Sequence, residues 1–229
     1  MGKPNDPKVG DSNNPSEIGS LFPSHIIESI GLNYCDLLEV IFQLEELNVE
    51  ESHMAPVLDQ FRELDLFHLP KLTHIWKKGP ERIMGFGNLR LLNISECDSL
   101  TYLFSPSIAK LLVMLETINV DYCEKIEEIL ARAGEEEEEK DVLFHKVNSI
   151  SFKRLPNLKF FCNEANALEW PSLKEIKVID CPSFSTFIPS KLITPKLEGV
   201  YNSDLKGVEM CHWMGDLNAA IEHIFKGKV

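Results

Sequence analysis

Residues 89–130 read LRLLNISECDSLTYLFSPSIAKLLVMLETINVDYCEKIEEIL, and one pattern occurs in them twice. Leu89, Leu92, Ile94, Cys97, Leu100, Leu103 and Phe104 stand at offsets −8, −5, −3, 0, +3, +6 and +7 from Cys97. Leu115, Ile118, Val120, Cys123, Ile126, Ile129 and Leu130 repeat those offsets from Cys123. The template extends outward in both directions. It fits Leu173, Ile176, Val178, Cys181, Phe184, Phe187 and Ile188, and also Ile27, Ile30, Leu32, Cys35, Leu38, Ile41 and Phe42. Two further copies carry Leu at the anchor: Phe61, Leu64, Leu66, Leu69, Leu72, Ile75 and Trp76, then Val147, Ile150, Phe152, Leu155, Leu158, Phe161 and Cys162. Every slot is apolar in a chain that is 44% hydrophobic. One such match has a chance of roughly 0.003 in a fixed register, so a succession of them is not accidental.

The anchors fall at 35, 69, 97, 123, 155 and 181, with spacings of 34, 28, 26, 32 and 26. Self-similarity at that period is the mark of a repeat solenoid, here of leucine-rich-repeat length with insertions in the two long intervals. Slots −5 and −3 alternate with polar neighbours, as in a short strand buried on one face. The anchor suits a small buried group, and Cys behaves as one. The next residue is Asp36, Pro70, Asp98, Glu124, Pro156 or Pro182. Proline there means that no ladder N–H is needed, so the strand has ended. One repeat cannot bury its own apolar edge; stacking buries a continuous core.

These features predict an α/β solenoid: a leucine-rich-repeat horseshoe with a parallel concave sheet and an irregular or short-helical convex side. Ser105-Pro106 opens a convex helix with an N-cap and proline at its first position, followed by Ile108, Leu111, Leu112 and Leu115 at helical spacing. Elsewhere the convex side is expected to be 3₁₀ or extended. A degraded seventh copy near 205 keeps Leu197 and Val200 but has Asn202 in a core slot. Leu217, Ala220, Ile221, Ile224 and Phe225 then follow i, i+3, i+4, i+7, i+8, with Asp216 as N-cap and Gly227 as the residue after the end. The expected organisation is a disordered segment at 1–20, repeats over 21–214, an acidic loop insertion at 131–146 and a capping helix at 215–229.

Composition narrows the function. Formal net charge is −13, with five of the negative charges in the block Glu135 to Glu139, and such a surface repels nucleic acid. That block reads as a solvated loop. No apolar run approaches the roughly 18 residues of a membrane helix, and the first residues lack the apolar stretch of a secretory signal. A cytoplasmic protein is the expectation, with no membrane partner. None of the six cysteines forms a C-x-x-C pair, and five of them fall in template slots. Cys211, His212 and His223 lack a fourth zinc ligand and the spacing of a knuckle, so no metal site is expected. No nucleophile elbow or Cys/His signature is present, so neither catalysis nor a cofactor is expected. Trp76 fills a core slot and Trp170 is expected beneath the next strand.

The cysteine-bearing repeat, the phrase LPKLTHIW and the ending MGDLNAAIEHIF resemble one family, over roughly residues 22 to 229. They resemble the C-terminal repeat region of plant intracellular immune receptors of the coiled-coil, nucleotide-binding, leucine-rich-repeat type. That resemblance implies a non-enzymatic region that holds the receptor inactive against its nucleotide-binding domain. It also implies a part in recognising pathogen effectors or the host proteins they modify. The sequence contains no G-x-x-x-x-G-K-[ST] loop, so nucleotide switching does not carry over to these residues. The alternative is the substrate-recognition repeats of an F-box ubiquitin-ligase receptor. An extracellular receptor is disfavoured, because the one sequon, Asn93-Ile94-Ser95, sits in a strand.

Strand residues that point away from the core are the candidate contacts, at offsets −6, −4 and −2. The selected set is Glu63, Asp65, Phe67, Leu91, Asn93, Asn119, Asp121, Lys153, Lys177 and Ile179. The face is expected to be acidic near Glu63, Asp65 and Asp121 and basic at Lys153 and Lys177. Phe67, Leu91 and Ile179 are apolar groups in a polar ring, the make-up of a protein-binding surface. A protein partner is therefore expected, with a basic, partly apolar patch and Phe67 as its anchor.

Overall fold

The computed structural model describes residues 28–43, 58–77, 85–131, 144–163, 168–189, 192–203 and 209–226. In chain order its elements are β1 (Ser29–Asn33), β2 (Val40–Gln43), β3 (Glu63–Phe67), β4 (His74–Lys77), β5 (Leu91–Ser95) and α1 (Pro106–Leu111). There follow β6 (Thr117–Asp121), β7 (Glu128–Leu130), β8 (Ser149–Lys153), β9 (Phe160–Cys162), β10 (Leu168–Glu169) and β11 (Glu175–Ile179). The last are β12 (Leu192–Ile193), β13 (Gly199–Ser203), β14 (Glu209–Cys211) and α2 (Leu217–Lys226). The segment 1–20, the acidic block Glu135 to Glu139 and Gly227 lie outside the described residues.

The main sheet has the order β1-β3-β5-β6-β8-β11-β13-β14. It is parallel from β1 to β13, and each template slot pairs with its equivalent: Leu64 with Leu92, Ile94 with Val120, Ile150 with Ile176. The fold is the expected leucine-rich-repeat solenoid, with one addition. β14 pairs antiparallel with β13, through Tyr201 and Cys211, so the seventh copy turns back along its own strand. The sequence around Asn202 gave no sign of that reversal.

Opposite the main sheet the extended segments also pair. β2 lies on β4, β7 on β9 and β10 on β12, all parallel, and Phe104 bridges to Leu130. In α1, Ser105 Oγ accepts a hydrogen bond from the Ile108 N–H, with Pro106 at the first helical position, as the sequence indicates.

The core runs between the two sides. Leu92, Cys97, Leu100, Ile118, Cys123, Ile126, Ile176, Cys181 and Phe184 have no exposed surface. A column of rings crosses the rungs: Phe42 stacks on Trp76 at 6.3 Å and Trp76 on Phe104 at 5.7 Å, and Phe161 stacks on Phe187 at 4.8 Å. Trp170 is fully buried among Phe144, Phe161 and Phe187. Cys35 departs from its equivalents. It is only half-buried, as are Ile30, Leu32 and Leu38, because no described strand packs on the outer side of β1. At the other end Leu217, Ala220, Ile221 and Ile224 of α2 are buried. Asp216 caps that helix, its Oδ1 accepting the Ala219 N–H at 2.8 Å.

Candidate partner-binding face

Each repeat solves one local problem. A regular strand through offsets −6 to −2 would send −1 inward and the anchor outward. The chain instead places −1 in the left-handed region: Tyr34 (φ 57°), His68 (52°), Glu96 (56°), Tyr122 (51°), Arg154 (51°) and Asp180 (54°). Left-handed backbone disfavours residues that carry a Cβ by roughly 1–2 kcal/mol. Here a hydrogen bond holds it. The −1 N–H donates to the last strand carbonyl of the next rung: His68 to Ser95 at 3.0 Å, Glu96 to Asp121 at 3.2 Å, Tyr122 to Lys153 at 3.1 Å and Arg154 to Ile179 at 2.8 Å. The twist inverts the alternation, so −2 and −1 both face outward and the anchor turns into the core.

The anchor thiols close the corner. Sγ of Cys97, Cys123 and Cys181 each donates to the carbonyl two residues back, at 3.4–3.5 Å. Burial pushes the Cys181 thiol up to about 12. Contact with Cys97, together with burial, pushes Cys123 up as well. The N–H three residues on then donates to the anchor carbonyl, as Leu72 does to Leu69 and Phe184 to Cys181. Pro70 and Pro182 therefore occupy the second position of a turn, where a fixed φ is suited.

The outward residues form four ladders of like offset. At −4, Asn93 Nδ2 donates to Asp65 Oδ1, and Asn119 Nδ2 donates to Asn93 Oδ1 at 2.8 Å. Asp65, Asn93 and Asn119 are thus joined in one polar chain. Ser151 continues that ladder but is buried, and Lys177 lies half-buried beyond it. At −6, Leu91 is half-buried between the exposed Glu63 and the half-buried Thr117. At −2, Phe67, Ser95, Asp121, Lys153 and Ile179 are in register and all half-buried. Glu63 and Phe67 on β3 stand four strands from Lys177 and Ile179 on β11, roughly 19 Å at ordinary strand spacing. They serve two ends of one face.

The −1 ladder was not among the sequence candidates, and it carries the most varied chemistry. Tyr34 is 66% exposed and meets Phe67 edge-on at 5.2 Å and His68 at 5.1 Å. Phe67 is therefore one ring of a surface cluster rather than a lone group. His68 Nδ1 lies 2.9 Å from Glu96 Oε2. Arg154 lies over the Tyr122 ring at 4.1 Å and donates to both Asp121 oxygens at 3.0 and 3.1 Å, which raises its own pKa. The Asp121 charge, expected to make the face acidic, is thereby matched. Beside this ladder runs a groove of about 620 Å³. Tyr122, Pro156 and Pro182 supply its apolar wall, Glu96, Asp98, Glu124 and Asp180 its carboxylates, and His68 and Arg154 its basic groups.

At the far end the Tyr201 ring lies over Gly199, where a Cβ would meet it at 2.7 Å, so glycine keeps that seat open. His212 and His223 lie 5.6 Å apart, and among the described residues no group of three or more ligating side chains is placed to hold a metal. No helix among them is long and apolar enough to cross a membrane.

Comparison with known proteins yields one family. The profile of RPS2-like plant disease resistance proteins, leucine-rich repeats, matches residues 15–124 and 114–198. A probable disease resistance protein of Arabidopsis thaliana is 29% identical over 188 residues, covering 71% of this chain and 20% of its own length. The chain thus spans about a fifth of that relative. No solved structure matches.

Proposed function

The chain belongs to the leucine-rich-repeat family of RPS2-like plant disease resistance proteins, and on that premise we propose that it is the protein-recognition module of a cytoplasmic plant immune receptor. Its partner is a pathogen effector or a host protein that effectors modify. Leucine-rich repeats of resistance proteins are a non-catalytic interaction module. Family membership favours this reading over an F-box substrate receptor.

The observation that carries the proposal is the inverted corner of each repeat. It raises a double file of −2 and −1 side chains on a stiff scaffold, at the edge of the main sheet. Rigid aromatic groups inside a polar ring are where binding energy concentrates. Tyr34, Phe67 and His68 form such a cluster at one end, and Tyr122 with Arg154 forms another in the middle. Glu63, Asp65, Leu91, Asn93 and Asn119 complete the face on the first half, and Asp121, Lys153, Lys177 and Ile179 on the second.

The test is a selection of secreted pathogen proteins displayed on yeast against the whole chain, followed by alanine variants. Tyr34→Ala and Phe67→Ala are expected to weaken a selected partner, whereas Val113→Ala, 53% exposed beside α1, leaves affinity unchanged. A partner that depends on Val113 and ignores Tyr34 and Phe67 overturns the reading.

A further inference from the structure

We propose that the groove beside the −1 ladder is a seat for an arginine side chain on an exposed basic segment of the partner; this rests on the recognition reading above and deepens it. Three features of the groove converge on a guanidinium.

The first is charge. Arg154 is committed to Asp121 by two hydrogen bonds, and His68 to Glu96 by one. Among the described residues no ion pair engages Asp98, Glu124 or Asp180. Carboxylates therefore outnumber cations where a partner would enter.

The second is the wall. Tyr122, Pro156 and Pro182 are all exposed, and they line the same groove as those carboxylates. An arginine lays its aliphatic stem along apolar surface while its head stays among polar groups. A cavity of about 620 Å³ is ample for one such side chain and its flanking backbone.

The third is geometry. Asp98 and Glu124 hold the same +1 position on adjacent rungs, and the Glu124 N–H donates to Asp98 Oδ1 at 3.4 Å. Rungs lie roughly 4.8 Å apart, and a planar guanidinium offers two such carboxylates separate donors in a fixed fork, whereas an ammonium meets both through one nitrogen. The Tyr122 ring already carries one guanidinium, that of Arg154 at 4.1 Å. The site is thus built on a contact that this chain itself makes.

The experiment titrates the whole isotope-labelled chain with a capped peptide bearing one central arginine, alongside its lysine and citrulline counterparts. The arginine peptide is expected to give saturable shifts at the amides of Tyr122, Glu124 and Asp180. Lysine should bind more weakly, citrulline should not bind, and added salt should weaken the complex. The double variant Asp98→Asn, Glu124→Gln should bind about tenfold more weakly, as for a lost charge-assisted hydrogen bond. Both side chains are outside the core, and Glu127→Gln, whose side chain pairs with Lys159 outside the groove, is the matched control.

No saturable shift in the groove, citrulline binding like arginine, or an unaffected double variant overturns the proposal. Lysine binding as tightly as arginine overturns the choice of guanidinium. If the peptide fails while Tyr34→Ala and Phe67→Ala still lose a selected partner, the groove assignment falls and the recognition face stands. If the peptide binds in the groove while a selected partner depends on Val113 and ignores Tyr34 and Phe67, the recognition reading falls instead.

Discussion

Asn218→Ala is the most direct perturbation of how the array ends. Asn218 lies in the first turn of α2, with its amide turned back onto the last complete repeat. Its Oδ1 accepts the Phe187 N–H at 2.9 Å and its Nδ2 donates to the Ile188 carbonyl at 2.7 Å. On the other side of the same segment, the Phe187 carbonyl accepts from the N–H groups of Phe161 and Cys162 at 2.9 and 3.3 Å. One side-chain amide thus does for the outer edge what a neighbouring strand does for the inner. Alanine leaves a donor and an acceptor without partners. A part-buried group left so costs about 1–3 kcal/mol, and water reaching a half-buried site puts the pair near the low end, about 2–3 kcal/mol in all. Alanine returns roughly 0.6 kcal/mol through helix propensity. The net expectation is about 2 kcal/mol, close to a thirtyfold change in an opening equilibrium. Repeat arrays open locally, so the sharpest readout is hydrogen exchange at the Phe187 amide, with denaturant unfolding as the global check. Asn218→Asp keeps the acceptor but sets a carboxylate against the Ile188 carbonyl, and is expected to do no better. Phe187 protection within twofold of wild type in Asn218→Ala would refute the reasoning.

Cys97, Cys123 and Cys181 should resist thiol labelling until denaturant is added, whereas Cys211 reacts at once and Cys35 early; rapid native labelling of the three buried anchors would contradict their placement. Tyr122→Val puts a β-branched residue at φ 51°, a conformation it tolerates less well than tyrosine, and should lower the midpoint of urea unfolding. Ser95→Val, in a strand, should be tolerated, so equal costs would remove the case for the inverted corner. Burial, with His223 beside it, holds the His212 pKa below its ordinary 6.5. The unfolded chain then binds the proton more readily, so stability is complete above that value and declines as pH falls through it toward the folded pKa. Protection of the α2 amides, taken against the intrinsic exchange rate at each pH, should fall on acidification, and His212→Asn should remove the effect.

The slots at −5, −3 and 0 were legible because burial on a stacked rung admits few residue types. The apolar pattern therefore fixes which residues face inward and, with Ser105-Pro106 and Asp216, where both helices begin. The −1 ladder was harder to see, although its signal was present. A strand that kept alternating would have its next apolar slot at −1, and the template skips to 0. That missing step is the inverted corner, and it required Glu96, Tyr122 or Arg154 to face outward. Reading only −6, −4 and −2 as outward gave Asp121 without Arg154 and Phe67 without Tyr34. The charge of the face was misjudged for the same reason, since the cation that matches Asp121 comes from the next rung. Asn218 and β14 left no trace in the periodicity. The first acts through one side-chain amide and the second through one chain reversal, and neither imposes a repeat.

The inverted corner also separates two demands that usually compete in a strand. Core and display lie on alternate residues of the same segment, so a change at one tends to disturb the other through register. On most rungs the anchor carbonyl and the −1 N–H are satisfied by backbone partners, and from Leu69 to Cys181 the thiol or leucine at the anchor is fully buried. The −1 side chain is left out of the core, and its one shared constraint is to tolerate a left-handed backbone. Tyrosine, histidine, glutamate, arginine and aspartate all occupy it in this one chain, on corners of the same backbone form. That is direct evidence, within a single molecule, that the position accepts unlike chemistry without altering the fold. A surface that has to read many different partners needs positions of that kind, placed side by side at the spacing of the rungs.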